Sequence, residues 1–238
     1  MEDFPALPDT WRRALVVMAH PDDPEYGTAA AVAEWTQAGK EISYVLATRG
    51  EAGIAGLHPD QSATVRAEEQ RRACARVGVE HLTFLDHPDG RLENTLQLRR
   101  DIAREIRRHR PDGVITLNFD RTWGTGVWNS ADHRHLGEAV MDAVADAANE
   151  WIFPELTEEG HDPHSTRWVA VASPRPTHCV RVDDASVERA VESLSEHDKY
   201  LEALSTDAVP VQARRQIERM TGGPQAAPRR VGFELYTF

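Results

Sequence analysis

His20, Asp22 and Asp23 stand together in the stretch "VVMAHPDDPEYG", with Glu25 just beyond Pro24. An imidazole beside two carboxylates can bind a divalent cation and can move protons. A dinucleotide site at such a turn would need G-x-G-x-x-G, whose glycines let the backbone approach a pyrophosphate. Here two carboxylates occupy the turn and would repel that group. Neutral imidazole and carboxylate oxygen suit zinc, with iron(II) and cobalt as fitting substitutes, and a catalytic zinc takes about three protein ligands. The third candidate is His133 in "WNSADHRHLG". His135, two residues further along a helix, would point roughly away from it. The same residues also suit a plain structural reading, with Asp22 or Asp23 in a turn and helix cap and Asp132–His133 opening another helix. The two readings differ in whether the fold brings both stretches to one place.

The elements that would position these residues are legible in the hydrophobic pattern. Leu15, Val16, Val17 and Met18 form a continuous apolar run, as in a strand covered on both faces. Strand patterns recur in "RALVVMA", "EISYVLAT", "HLTFL" and "DGVITLN". Between and after them lie helical patterns: "PEYGTAAAVAEWTQAG", "SATVRAEEQRRACARVG" with Ser62 as N-cap, "TLQLRRDIAREIRRHR" and "HRHLGEAVMDAVADAANE". This alternation predicts a Rossmann-like α/β fold, a mostly parallel sheet with helices on both faces. Ligands in such sheets bind beyond the carboxyl ends of the strands. The loops at 20–25, 48–60, 86–94 and 118–133 all fall on that rim. They could gather His20, Asp22, Asp23, Arg49, Glu51, Asp89 and His133 into one crevice. Further along, "TRWVAVAS" and "HCVRV" predict more strands, read as an antiparallel extension, and "SVERAVESLSEHDKYLEAL" and "PVQARRQIERMTGG" predict helices. We expect one domain over 1–238, with its core at about 10–150 and a C-terminal extension, about 151–238, capping the active-site edge.

Composition narrows the partners. A net charge of −12 argues against nucleic acid. The arginines between 99 and 110 alternate with Asp101 and Glu105, as on a solvated helix face. No apolar stretch is long enough to span a membrane. Cys74 and Cys179 lie too far apart in sequence for a disulfide framework or a cysteine-rich zinc site, and both read as small buried residues. The first residues lack the basic start and apolar core of a signal peptide, so a cytoplasmic location is expected. A homo-oligomer is compatible with all of this.

"AHPDDPEYG" closely resembles the "AHPDDE" signature of the PIG-L/LmbE-like zinc-dependent N-deacetylases. That family includes the de-N-acetylases of N-acetylglucosaminyl-inositol and the mycothiol conjugate amidases. "TRGEAG" (48–53), "RAEE" (66–69), "DHPDGRL" (86–92), "SADHR" (130–134) and "PTHCVRV" (176–182) resemble later family motifs, so the likeness covers most of the chain to about residue 205. The resemblance implies a zinc ion held by His20, Asp23 and His133. It implies that Asp22 is the general base toward metal-bound water, and that Arg66 and Asp89 bind substrate hydroxyls. The implied substrate is a small-molecule amide of the N-acetylglucosamine type, cleaved to an acid and a free amine; a mycothiol-conjugate-type amidase would use the same chemistry. One position departs: Ser130 stands where the family often has a histidine. Serine carries no positive charge and is a poor acid near neutral pH. Ser130 is then left as a substrate-contacting position. His178 in "PTHC" is the candidate to supply the missing acid, Asp22 carrying both proton transfers is the second solution, and weakened or lost activity is the third. Trp35, Trp123, Trp128 and Trp168 are candidate sugar platforms, against the commoner use of tryptophan as packing.

Overall fold

The computed structural model describes residues 4–238. In chain order its elements are β1 Arg13–Met18, α1 Asp23–Gly27, α2 Ala29–Gln37, β2 Glu41–Leu46, α3 Pro59–Arg76, β3 His81–Phe84, α4 Leu96–His109, β4 Gly113–Leu117, β5 Thr122–Gly124, β6 Val127–Trp128, α5 Ala131–Ala148, α6 Glu155–Glu158, β7 Trp168–Ala172, β8 His178–Val182, α7 Asp184–Ser195, α8 Asp198–Leu204, α9 Val209–Met220 and β9 Arg229–Thr237. Seven strands form one sheet in the order β3-β2-β1-β4-β7-β9-β8. The first five of these are parallel, and β9 runs antiparallel to both β7 and β8. β1 and β4 lie inside this sheet, which is why their sequences are apolar throughout: Leu15 to Met18, Val114 and Ile115 are fully buried.

The fold is the mostly parallel α/β sheet that the sequence predicts, with several local differences. The expected helix over 24–39 is two helices. Thr28 breaks it, with its backbone N–H and its hydroxyl both donating to Pro24 O at 2.8 Å. Helix α3 starts at Pro59 rather than at Ser62. His58 caps it by accepting from Asp60 N, proline suits the first turn, and the Ser62 hydroxyl donates to Gly50 O instead. The segment after residue 150 does more than cover an edge. It supplies three strands to the sheet, and β7 joins β4 in parallel, where an antiparallel extension was expected. The helical stretch over 186–204 divides into α7 and α8 at Glu196 and His197. The third position gained is β9, whose alternating buried residues Val231 and Phe233 complete the sheet.

Two of the tryptophans proposed as sugar platforms belong to the core. Trp11 meets Trp35 and Trp168 edge-on, with centroids 5.3 and 5.5 Å apart. Trp35 and Trp168 are buried, so neither can face a ligand.

Candidate metal centre

β1 delivers the first motif to the carboxyl edge of the sheet. Thr48, just after β2, pins the strand's exit by donating its N–H and its hydroxyl to Ala19 O, both at 3.0 Å. His20 N then donates to Asp23 Oδ2 at 2.8 Å, closing a turn before α1. Asp22 sits at the N-cap position of α1 with φ +86°, and its carboxylate makes no capping hydrogen bond. The turn-and-cap reading therefore accounts for part of Asp23 and not for Asp22. A non-glycine residue at such a φ is uncommon, and sites of function are where such strain concentrates.

The second motif arrives on α5. Ser130 is the N-cap of this helix, its Oγ accepting from His133 N at 3.1 Å. The helix start turns His133 toward β1. Its Nε2 lies 3.1 Å from Asp23 Oδ1, and the His20 and His133 ring centroids are 5.3 Å apart. His20, Asp23 and His133 each offer one ligand-type atom, all within 4.8 Å of one another, and among the described residues His20, Asp89 and Asp132 form a second such group.

The hydrogen bonds tell the two faces of each ring apart. His133 Nδ1 is 3.0 Å from Asn129 Oδ1; an amide oxygen only accepts, so Nδ1 carries a hydrogen, and Nε2 is the ring atom that faces Asp23 and is left for a cation. His20 Nε2 lies 3.1 Å from both Asp89 Oδ1 and Asp132 Oδ2, while its Nδ1 faces Asp23 Oδ2 at 3.2 Å. A ring anchored by carboxylates on one nitrogen and open toward a cluster on the other is the arrangement of a metal-binding histidine. Asp132 is in turn fixed by Gly90 N at 2.7 Å and Leu92 N at 3.1 Å. The sequence reading took Asp132 only as a helix-opening residue beside His133; its position immediately before that histidine was the available signal.

Charge explains why these groups can share the space. Burial alone would lower the His20 pKa, but Asp23, Asp132 and Asp89 reverse this and hold it well above the usual imidazole range. Burial would raise Asp23, yet the imidazoles of His133 and His20 hold its carboxyl far below the usual carboxylate range. Burial pushes the Asp22 carboxyl up to about 7, against the pull of Arg66. The cluster thus requires positive charge between Asp23 and the two rings. A divalent cation held there would supply it with the rings neutral. The donor set of two imidazoles and a carboxylate fits zinc, iron(II) or cobalt.

The remaining expected residues have the following partners. Arg66 is buried, and donates to Asp22 Oδ1, Pro21 O and Gly50 O while its guanidinium lies 4.0 Å from the Tyr200 ring centroid. It clamps the first motif from inside. Asp89 is likewise committed, Oδ1 to His20 and Oδ2 to Ala52 N at 2.8 Å. Ser130 has its hydroxyl in the α5 cap rather than turned to a substrate. His178 opens β8, separated from β1 by β4, β7 and β9; its ring contacts Thr177 Oγ1 at 3.0 Å, and no described contact joins it to the cluster. Arg49 pairs with Asp86, and Glu51 accepts from Asp89 N at 2.8 Å, so both brace the rim. Trp123 stands edge-on to His133, with centroids 6.0 Å apart, and Trp128 is exposed on the β5–β6 hairpin.

A parallel α/β sheet with a histidine–carboxylate cluster on its carboxyl edge defines the class, and the comparisons with known proteins give it a family. The chain belongs to the PIG-L family, described as GlcNAc-PI de-N-acetylase, whose pattern matches residues 15–144. It is 28% identical over 176 residues to a diacetylchitobiose deacetylase of Thermococcus kodakarensis, covering 73% of this chain and 64% of the relative. It is 37% identical over 181 residues to a 1D-myo-inositol 2-acetamido-2-deoxy-alpha-D-glucopyranoside deacetylase of Salinispora arenicola, covering 65% of this chain and 56% of that one. The chain thus spans less than two-thirds of these relatives' own length. Its fold matches that of N,N'-diacetylchitobiose deacetylase from Pyrococcus horikoshii, with a TM-score of 0.83 at 20% identity over 96% of this chain and 85% of the other.

Proposed function

We propose that the chain is a divalent-metal-dependent N-deacetylase, with zinc as the cation, acting on a small molecule of the N-acetylglucosamine type. One observation carries the reading. His20, Asp23 and His133 converge, and Asp22 stands beside them held by Arg66 rather than by the cluster. A cation held by the three residues would supply Lewis acidity to the amide carbonyl and acidify the attacking water. Asp22 accepts the proton from that water. Its Oδ1 is committed to Arg66, which leaves Oδ2 for the proton. Asp23, Asp89 and Asp132 have both oxygens engaged, so Asp22 is the one carboxylate of this group with an uncommitted oxygen among the described contacts. That supports Asp22 in both transfers: it takes the proton from water and returns it to the nitrogen as the C–N bond breaks, giving acetate and a free amine. With Ser130 as a helix cap and no described contact between His178 and the cluster, this is the solution that the described contacts favour.

The names of the relatives support a sugar-linked acetamide as substrate, and the cytoplasm fits two cysteines that are buried and unpaired. The test is release of primary amine from N-acetylglucosamine, N,N'-diacetylchitobiose and an N-acetylglucosaminyl-inositol. Turnover that is lost on chelation and restored by zinc supports the reading. A metal-loaded protein that releases no amine from any of the three argues against it.

A further inference from the structure

Asp22 is held at φ +86° by contacts from α3. Arg66 and Gln70 lie one turn apart on α3, and both reach the peptide that joins Pro21 to Asp22. Arg66 Nη2 donates to Pro21 O, and Asp22 N donates to Gln70 Oε1 at 2.9 Å. These are the two polar atoms of one peptide plane, so α3 fixes the rotation of that plane and with it the direction of the Asp22 side chain.

A glutamine can turn either its oxygen or its NH2 toward a neighbour. Glu25 decides which. Gln70 Nε2 donates to Glu25 Oε1 and Oε2 at 3.1 and 3.2 Å, and a carboxylate only accepts, so the amide oxygen must face Asp22 N. Glu25 is itself fully buried, and a buried carboxylate needs donors. Two come from the C-terminal part of the chain. Ser193 Oγ is 3.3 Å from Oε1, and His197 Nε2 is 3.2 Å from Oε2. His197 Nδ1 is buried with no hydrogen-bond partner, which favours a bare nitrogen there and the hydrogen on Nε2, pointing at Glu25. The break between α7 and α8 is what puts His197 in this position.

We infer that Glu25 and Gln70, backed by His197, are positioning residues that lock the Pro21–Asp22 peptide and so aim the Asp22 carboxylate for proton transfer. The catalytic half of this statement rests on the proposed function; the lock itself does not. In the described contacts none of the three side chains reaches His20, Asp23 or His133.

The experiment uses the full chain loaded with zinc and compares wild type with Gln70→Met, Glu25→Ala and Glu25→Gln. Two readouts are taken: hydrogen exchange at the Asp22 backbone amide, and the steady-state constants for amine release. Gln70→Met removes the acceptor and keeps the bulk. We expect its Asp22 amide to exchange at least about tenfold faster, because a buried hydrogen bond has been opened. We expect kcat to fall roughly tenfold to hundredfold, the scale of a misplaced catalytic group, with KM within about twofold and metal content unchanged. Glu25→Gln keeps one oxygen to accept from Gln70 once His197 takes its other tautomer, and should lose less of both than Glu25→Ala. A structural filler would change stability alone. Unchanged exchange at Asp22 in Gln70→Met overturns the lock, whatever reaction the site performs. Faster exchange with normal kcat in an active enzyme overturns its catalytic relevance, and equal losses in Glu25→Gln and Glu25→Ala overturn the role given to Glu25.

Discussion

Replacing Asp132 by asparagine tests whether a carboxylate orients the His20 ring. Three donors point at this carboxylate: His20 Nε2 at 3.1 Å and Gly90 N at 2.7 Å reach Oδ2, and Leu92 N at 3.1 Å reaches Oδ1. Asparagine offers one oxygen and one NH2, so in either orientation a donor meets a donor. Losing the partner of a metal-binding histidine costs about 10- to 100-fold in affinity. His20 Nε2 keeps a second acceptor, Asp89 Oδ1 at 3.1 Å, so the low end applies: about tenfold, or ~1.4 kcal/mol. Asp89→Asn in the same background should bring the total near 100-fold, because no acceptor charge then faces the ring. The assay is zinc competition against a chromophoric chelator at fixed pH, with a thermal melt to show that each variant is folded. Wild-type affinity in a folded Asp132→Asn protein would refute the orienting role. A loss of a thousandfold or more would mean that Asp132 is itself a ligand, and that His20, Asp89 and Asp132 form the true centre.

Other expectations follow from single environments. Asp22→Asn should keep its metal and lose about 10²- to 10⁴-fold in kcat, the usual contribution of acid–base catalysis, and turnover at the wild-type rate would remove Asp22 from the mechanism. Arg107 is almost fully buried and donates to five backbone carbonyls, those of Ala147, Phe153, Asp146, Asn149 and Ile152, so it closes the far end of α5 against α4. Arg107→Met should cost about 3–5 kcal/mol in urea unfolding while metal content stays the same; a loss below about 1 kcal/mol would contradict this account of the carbonyls. Asp112 accepts from Arg12 N at 2.8 Å and Arg13 N at 3.0 Å and pairs with Arg167; these donors outweigh burial and hold its pKa below the ordinary value. Its stabilisation is therefore present above the unfolded-state pKa, near 3.9, and is lost as pH falls through the lower folded value. The stability gap between wild type and Asp112→Asn should shrink from pH 7 toward pH 2, and a gap that stays constant would contradict the shift.

Periodicity and motif spacing carried much of this structure, and the exceptions have physical causes. The apolar runs ending at Met18, Leu46 and Leu117 are parallel strands buried on both faces, so their pattern is unmistakable. The convergence of His20, Asp23 and His133 followed from one rule, that loops at the carboxyl ends of such strands share a rim. Roles that depend on side-chain partners were not legible. Arg66 and Asp89 have the residue types that bind hydroxyls, yet tertiary contacts commit Arg66 to the Pro21–Asp22 turn and Asp89 to His20 and Ala52 N. His178 lies in a motif-like stretch, but strand order places it on the outer strand. Ser130 marked a gap in the resemblance, and locally it is a sound N-cap. The helix breaks at Thr28 and His197 were invisible because they answer to a carbonyl and a buried carboxylate far from any period. β9 could have been read from its alternation of Val231, Phe233 and Leu235, although Gly232 and the charges around it weaken the signal.

The central claim is that His20, Asp23 and His133 hold one catalytic cation. Elemental analysis of the protein purified without added metal, and again after zinc loading and desalting, addresses it directly when run beside His20→Ala and His133→Ala. The account predicts about one equivalent in the loaded wild type and a large loss in both variants, each of which removes one of about three ligands. No metal in the loaded wild type, or full occupancy in a folded His133→Ala protein, would contradict it.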